Sequence, residues 1–281
     1  MTEEEYIVGS PATPTNGATS LSGIVMGVGC PVVSKVEGKS MCAIVLGKTG
    51  LFRIYPIPGE KSLPVWAKVK VKVEKKNDYR EESWKLLTCI KTGKITDGGE
   101  KRAILERCIL KSGAQDPIDF QNKKRKSICV VTPKLPGMHM IRKEPTANMD
   151  DTWVFLQGMA WVKPYLLWES EQGKKHKSHI VSREAYQTIM NNPSNPLVYY
   201  TNINICSPDW DFWLVLGNQK HAPNVWVVVH VHRLKKTTGL STPHYCDLIS
   251  GKPDAWPYST QQNGNVPAAK GQLLMSIIED I

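Results

Sequence analysis

The chain has 281 residues, 41% hydrophobic and 22% charged, with 36 Lys and Arg against 26 Asp and Glu for a formal charge of +10. A chain of this size buries most of its unfolded surface as one large or two small domains, which excludes any need for disulfide staples. No stretch approaches the ~20 apolar residues of a membrane-spanning helix, and the acidic start Met1-Thr2-Glu3-Glu4-Glu5 lacks the apolar centre of a signal peptide, so a cytoplasmic protein with no membrane partner is expected.

In chain order, residues 9–23 are rich in Gly, Ser, Thr, Pro and Ala without any period and read as a flexible lead-in. Residues 24–28 predict a first strand, closed by Cys30-Pro31. Residues 42–46 and 51–55 flank Gly47-Lys48-Thr49-Gly50 and predict a hairpin. Residues 65–73 alternate with period 2. Val65, Ala67, Val69, Val71 and Val73 point one way, and Trp66, Lys68, Lys70 and Lys72 the other. A further strand is expected at 84–90. Asp97 and Glu100 form a capping-box pattern ahead of a helix to Leu110, with Ile104, Leu105, Cys108 and Ile109 on one face and Gly113 as the stop.

Residues 128–131 predict a strand, preceded by the densest positive run, Lys123-Lys124-Arg125-Lys126. Residues 134–151 are aperiodic and are expected to hold a domain boundary. Residues 153–168 are strand-like, interrupted at Gly158 and Pro164. Gly173-Lys174-Lys175-His176-Lys177 reads as a basic turn. Ser182 is an expected N-cap for a helix to about Asn192, with Tyr186, Ile189 and Met190 inward. Strands are expected at 197–205, 212–216 and 225–232; in the last, Val225, Val227, Val229 and Val231 share one face. Residues 239–271 read as loop, and 272–281 as a closing helix or strand.

The charge is uneven. Residues 60–143 hold 21 Lys and Arg against 10 Asp and Glu, while the rest of the chain is near neutral. This points to a polyanion partner, or else to solubility and lysine-guarded strand edges. The seven cysteines form no Cys-x-x-Cys pair and read as small buried hydrophobes of a reducing compartment.

Several segments together resemble an uncharacterised prokaryotic and phage-associated family. They are Gly50-Leu51-Phe52-Arg53-Ile54-Tyr55-Pro56-Ile57-Pro58, Asp78-Tyr79-Arg80-Glu81-Glu82-Ser83, Lys175-His176-Lys177 ahead of the Ser182 helix, and Gly217-Asn218-Gln219-Lys220-His221. The match covers residues 40–90 and 160–235 in order. The resemblance implies two small OB-like β-barrels with a nucleic-acid link and no established activity. The chain departs from the family's acidic-aromatic-acidic triplet at Ser182-Arg183-Glu184 and lacks its cysteines in 169–173, which removes a basis for metal or acid–base chemistry there.

The expectation is therefore a mainly β protein with a few helices (α+β) built of two OB-like barrels. Residues 1–23 form a lead-in, 24–145 a basic domain, and 146–281 a second domain with one or two helices and a loop-rich end. Such barrels bind nucleic acid, single-stranded or RNA-containing, with a basic groove and stacking aromatics. Candidate contacts are Arg53, Trp66, Lys68, Lys70 and Lys72, with Trp66 either a stacking platform or a shield for a barrel end, and Tyr55 either stacking a base or packing beside Pro56. The run Lys123, Lys124, Arg125, Lys126 is either a phosphate contact or a solvated turn. Lys174, Lys175, His176 and Lys177 would add salt-sensitive affinity. The implied role is an accessory protein of a mobile-element or defence assembly, with possible subunit partners.

Two other readings stand beside it. Glu184, Asp209, Asp211, His176 and His221 could converge as a metal-dependent nuclease or phosphoesterase, although Pro208-Asp209-Trp210-Asp211 also reads as a turn; His230 and His232, sharing a strand face, could hold a metal given a third ligand, or pack beside Trp226 or lie exposed. Asp150-Asp151 is a further carboxylate pair. The nine tryptophans and the basic surface could instead make a protein-binding scaffold or inhibitor. No phosphate-binding loop or nucleophile elbow is present, so no catalytic residue, metal or cofactor is assigned.

Overall fold

A computed structural model describes residues 4–7, 17–34, 38–58, 63–75, 79–143, 154–156, 160–205, 207–220, 222–236 and 277–279. The elements of the N-terminal half are β1 (Glu4–Ile7), β2 (Thr19–Val28), β3 (Val32–Ser34), β4 (Gly38–Gly47), β5 (Gly50–Pro58), β6 (Ala67–Lys75) and β7 (Ser83–Lys94). Two helices follow, α1 (Gly98–Cys108) and α2 (Pro117–Lys123). The remainder is β8 (Ile128–Val131), β9 (Lys134–Lys143), β10 (Val154–Leu156), β11 (Ala160–Glu169), β12 (Lys175–His179), α3 (Arg183–Met190), α4 (Val198–Asn202), β13 (Trp210–Asn218), β14 (Trp226–Lys235) and β15 (Ile277–Glu279).

The first half closes into a five-stranded barrel. β2 pairs antiparallel with β4, β4 with β5, β5 parallel with β7, and β7 antiparallel with β6, which returns antiparallel to β2. This Greek-key order with one parallel join is that of an OB-like barrel. The alternation in β6 drives the closure: Ala67, Val69, Val71 and Val73 are buried inside, and Lys68, Lys70 and Lys72 are exposed. Each buried valine contributes on the order of 2 kcal/mol.

The second half repeats the order. β8 and β9 are consecutive strands bent at Thr132-Pro133. β9 pairs antiparallel with β11, β11 with β12, β14 with β13, and β13 with β8. A parallel bridge from Ile180 to Val228 joins the β12 side to β14. Helices α3 and α4 lie between its third and fourth strands. The mainly β architecture with a few helices expected from the sequence is thus observed; the first half is a closed barrel, and the second half follows the same strand order in two sheets joined by that bridge. Because β8 and β9 pair into it, the second barrel begins ahead of residue 145.

The barrels share a core. Met26 and Ile44 of the first pack with Trp213, Val215, Val227 and Val229 of the second and with Ile104 and Leu105 of α1. At Gly27 the strands approach so closely that an added Cβ would lie 2.9 Å from His230 Cβ. The outer face of β4 and β5, where such barrels commonly bind ligands, is therefore covered by the second barrel. A buried polar cluster locks this junction. The Arg53 guanidinium donates to the carbonyls of Asn218 (3.3 Å) and Ser127 (3.2 Å), Arg80 donates to Asn218 O (3.4 Å), and Ser127 N–H donates to Glu82 Oε1. Three of the four segments that carry the family resemblance meet here.

Several expectations are corrected. β2 begins at Thr19, inside the expected lead-in, and Glu4–Ile7 forms a strand on β7. Trp66 precedes β6 in a turn with φ 71°, so it leaves the lysine face. Residues 134–143, expected to be aperiodic, form β9, and 175–179 form β12 rather than a turn. The run 197–205 holds α4, where packing of Tyr199 and Tyr200 into the second core overrides their strand propensity. Met190 is 62% exposed, not inward. A bulge opposite Val215 and Leu216 breaks the alternation of β14, so Val227 and Val229 face the first barrel while Val228 and Val231 enter the second core; Val225 lies outside the strand and is exposed. α1 ends at Cys108, before Leu110, and α2 went unread although Asp116 caps it and Pro117 occupies its first turn. The reading of 239–271 lies outside the described residues.

Candidate nucleic-acid interface

The outward side chains of β6 form a lysine row. Lys68, Lys70 and Lys72 alternate along the strand about 7 Å apart. Their ladder neighbours carry no charge: Ile24, Ser22 and Ser20 on β2, and Gly93, Ile90 and Thr88 on β7. Lys68 Nζ lies 3.8 Å from Glu100 of α1. Among the described residues no carboxylate pairs with Lys70 or Lys72.

Beyond Lys68 the row runs into α1, where Glu100 is followed by Lys101, whose ammonium lies 5.8 Å from the Trp66 ring. Trp66 lines a cleft of about 450 Å³ between the barrels, within the ~300–1,000 Å³ span of small-molecule sites. Lys101, Arg183, Glu184 and Arg233 supply its charged groups, and Val28, Val65 and Leu234 part of its apolar wall. His230 and His232 complete it, their rings 4.6 Å apart and His232 4.7 Å from Trp66. His232 Nε2–H donates to Met26 O at 2.7 Å. Burial holds the His230 pKa down at about 4; burial first, then His230 and Lys101, hold His232 well below the ordinary histidine value.

Trp66 occupies this position under backbone strain. A bulky residue in the left-handed region costs about 1–3 kcal/mol. The conformation is held because Trp66 N–H donates to Val25 O (2.8 Å) and Ile95 N–H donates to Trp66 O (2.9 Å). The strand pair therefore presents the indole to the cleft.

The other expected contacts are placed elsewhere. Arg53 is 7% exposed and spans the junction between barrels, which leaves it no access to a phosphate. Tyr55 is half-buried beside Pro56, and its hydroxyl accepts from Ser40 Oγ at 3.1 Å. Lys123 ends α2, and Lys124 and Arg125 follow it, all exposed. Lys126 pairs with Glu81 at 2.7 Å; the hydrogen bond and charge of Lys126 lower the Glu81 pKa. Lys174 pairs with Asp119 at 2.7 Å. Lys175 and Lys177 are half-buried on β12, Lys177 lying 5.0 Å from the Tyr165 ring. His176 is buried, stacks on Trp168 at 4.2 Å and donates to Asp116 Oδ2 at 2.8 Å. Burial acts to raise the Asp116 pKa, but the His176 hydrogen bond and charge, with Ser170 and the Asp119 amide, bring it below the usual carboxylate value. His176 is thus a strut between β12 and the cap of α2.

The expected acid–histidine set is dispersed. Asp211 pairs with Arg102 at 2.7 Å, His176 with Asp116, and Glu184 lies 3.8 Å from His230. Asp150, Asp151 and His221 lie outside the described residues. Among the described residues no three His, Cys, Asp or Glu side chains gather as a metal site. Lys101, Arg183 and Arg233 were missed as site residues because three separate elements bring them together. Only the helix-start position of Arg183, next to the Ser182 cap, was a local signal.

No family model and no curated protein matches the chain. Among solved structures, a murine DNA-binding protein bound to double-stranded DNA aligns with 80% of this chain and 100% of its own, at 8% identity and a TM-score of 0.27. No helix among the described residues is long and apolar enough to cross a membrane.

Proposed function

We propose that this protein binds nucleic acid as a non-catalytic accessory factor, with the phosphate backbone of a single strand lying along β6. The observation that carries the reading is the exposed row Lys68, Lys70 and Lys72 on a rigid, doubly paired strand, with one carboxylate, Glu100, at its Lys68 end and none among the described residues at Lys70 or Lys72. A strand that cannot move holds its charges in register, so less freedom is lost on binding than with lysines on a loop. The row leads past Lys101 to the aromatic face of Trp66, which supports a strand rather than a duplex, since stacking needs an unpaired base. The exposed Lys123, Lys124 and Arg125 provide a second, sequence-independent contact.

The test is binding of labelled single-stranded and duplex oligonucleotides at fixed salt by the wild type and by K68A/K70A/K72A. The variant changes only exposed side chains, so folding is expected to be unaffected. It should lose on the order of ten-fold or more in affinity for the single strand. Unaltered affinity would remove β6 from the interface.

A further inference from the structure

We propose that the cleft between the barrels is a nucleotide site, taking one phosphorylated nucleotide with its base on Trp66 and its phosphate among Lys101, Arg183 and Arg233. The inference rests on the nucleic-acid reading for its choice of ligand, but it concerns different residues from the lysine row.

Three observations meet in this cleft. The first is its charge: three permanent cations and one carboxylate line it. Arg183 stands at the first position of α3, where helix N–H groups also favour an anion. The second is the strained indole. Trp66 has φ 71°, and hydrogen bonds to Val25 and from Ile95 fix its backbone on both sides. A glycine would sit there without strain, so the chain gives up local ease to place an aromatic ring at the cleft. The third is its make-up, an apolar wall of Val28, Val65 and Leu234 facing polar groups within about 450 Å³. A flat aromatic body joined to a phosphate matches this division. A bare anion would leave the apolar wall unused, and an apolar ligand would leave the cationic side of the cleft unused.

Glu184 gives the site selectivity. It lies 3.8 Å from His230 and as a carboxylate accepts hydrogen bonds only, so in that form it suits a sugar hydroxyl or an exocyclic amine and disfavours a second phosphate. The ligand could be free or could be the end of a strand, and both offer the same chemistry.

The experiment uses the full chain in calorimetric titrations with adenosine 5′-monophosphate, adenosine, inorganic phosphate, and oligonucleotides with and without a 5′-phosphate. The monophosphate should bind at least ten-fold more tightly than adenosine or phosphate alone. Trp66→Leu should weaken it about ten-fold, the loss of one stacking contact, and R183Q/R233Q by a similar factor; circular dichroism verifies the fold of each. K68A/K70A/K72A should leave monophosphate binding unchanged. A 5′-phosphate advantage in the oligonucleotides assigns the site to strand ends, and its absence alongside monophosphate binding assigns it to free nucleotide. No monophosphate binding, or binding indifferent to both cleft variants, overturns the proposal. Oligonucleotide binding that persists in that case would leave the β6 reading standing, whereas monophosphate binding without any oligonucleotide binding would sink β6 and keep the cleft.

Discussion

Lowering the pH from 7 to 5 is expected to remove about 4 kcal/mol of folding stability, a large part of the ~5–15 kcal/mol a domain possesses. Two buried histidines, His139 and His230, set that figure, and a third, His232, adds to it. Burial, helped by the nearby Lys177 charge, lowers the His139 pKa to about 4, and burial alone lowers His230 to about 4. His232 is lower still, through burial, then His230 and Lys101, against the opposing hydrogen bond to Met26 O. In the unfolded chain each titrates near ~6.5. Between that value and about 4 the unfolded state therefore binds more protons than the folded one. Their contribution is complete above the unfolded value and is lost as the pH falls below it. At pH 5 the loss is about 2 kcal/mol for each of the two histidines with a value near 4. Glu184 acts in the opposite sense, since burial raises its pKa and its protonation favours the folded state. Asp116 keeps its contribution at pH 5, because its lowered value places the loss in the carboxylate range below. Urea unfolding at pH 7 and pH 5, followed by tryptophan fluorescence, reads the difference. Equal stability at the two values would mean that these rings are not buried in neutral form.

Arg53→Ala is expected to destabilise the fold by about 3 kcal/mol, because it removes a buried guanidinium with its two hydrogen bonds and leaves a cavity at the junction. Its guanidinium bridges Ser127 O and Asn218 O between the barrels at 7% exposure. In the variant Arg80 still donates to Asn218 O and the Asn218 N–H to Ser127 O, but the guanidinium that ties both carbonyls to the first barrel is gone and a gap opens at the junction. A phosphate-binding arginine would behave differently: its loss would weaken binding and spare stability. Thermal unfolding of Arg53→Ala separates the two roles. An unchanged midpoint would return Arg53 to the list of exposed contacts.

How much of this was legible in the sequence follows from where each signal resides. The lysine face of β6 and the 42–55 hairpin were readable because period-2 alternation and a glycine turn are local. So was the Asp97 cap, whose carboxylate accepts from Glu100 N–H at 2.7 Å. The two-barrel order entered through the resemblance. Trp66 was misplaced because strand periodicity cannot reveal a residue turned by φ 71° before the strand begins. Arg53 and His176 were misread for a related reason. A charged or polar residue beside a turn is ordinarily exposed, and only the docking of the second barrel, or the cap of α2, buries them. The cleft was not legible at all, since the groups that line it come from positions as far apart as Val28 and Leu234. The i, i+2 spacing pairs His230 with His232, but their partners, Glu184 and Met26 O, lie far away in sequence.

The most direct test of the β6 reading is the salt dependence of single-strand binding by the wild type and by K68A/K70A/K72A. Each phosphate neutralised releases counterions and adds about 0.7 to the slope of log affinity against log salt. If the three lysines lie along the backbone, the variant's slope should be shallower by about 2. Parallel slopes would contradict the account, because they would show that a strand bound to this protein does not touch β6.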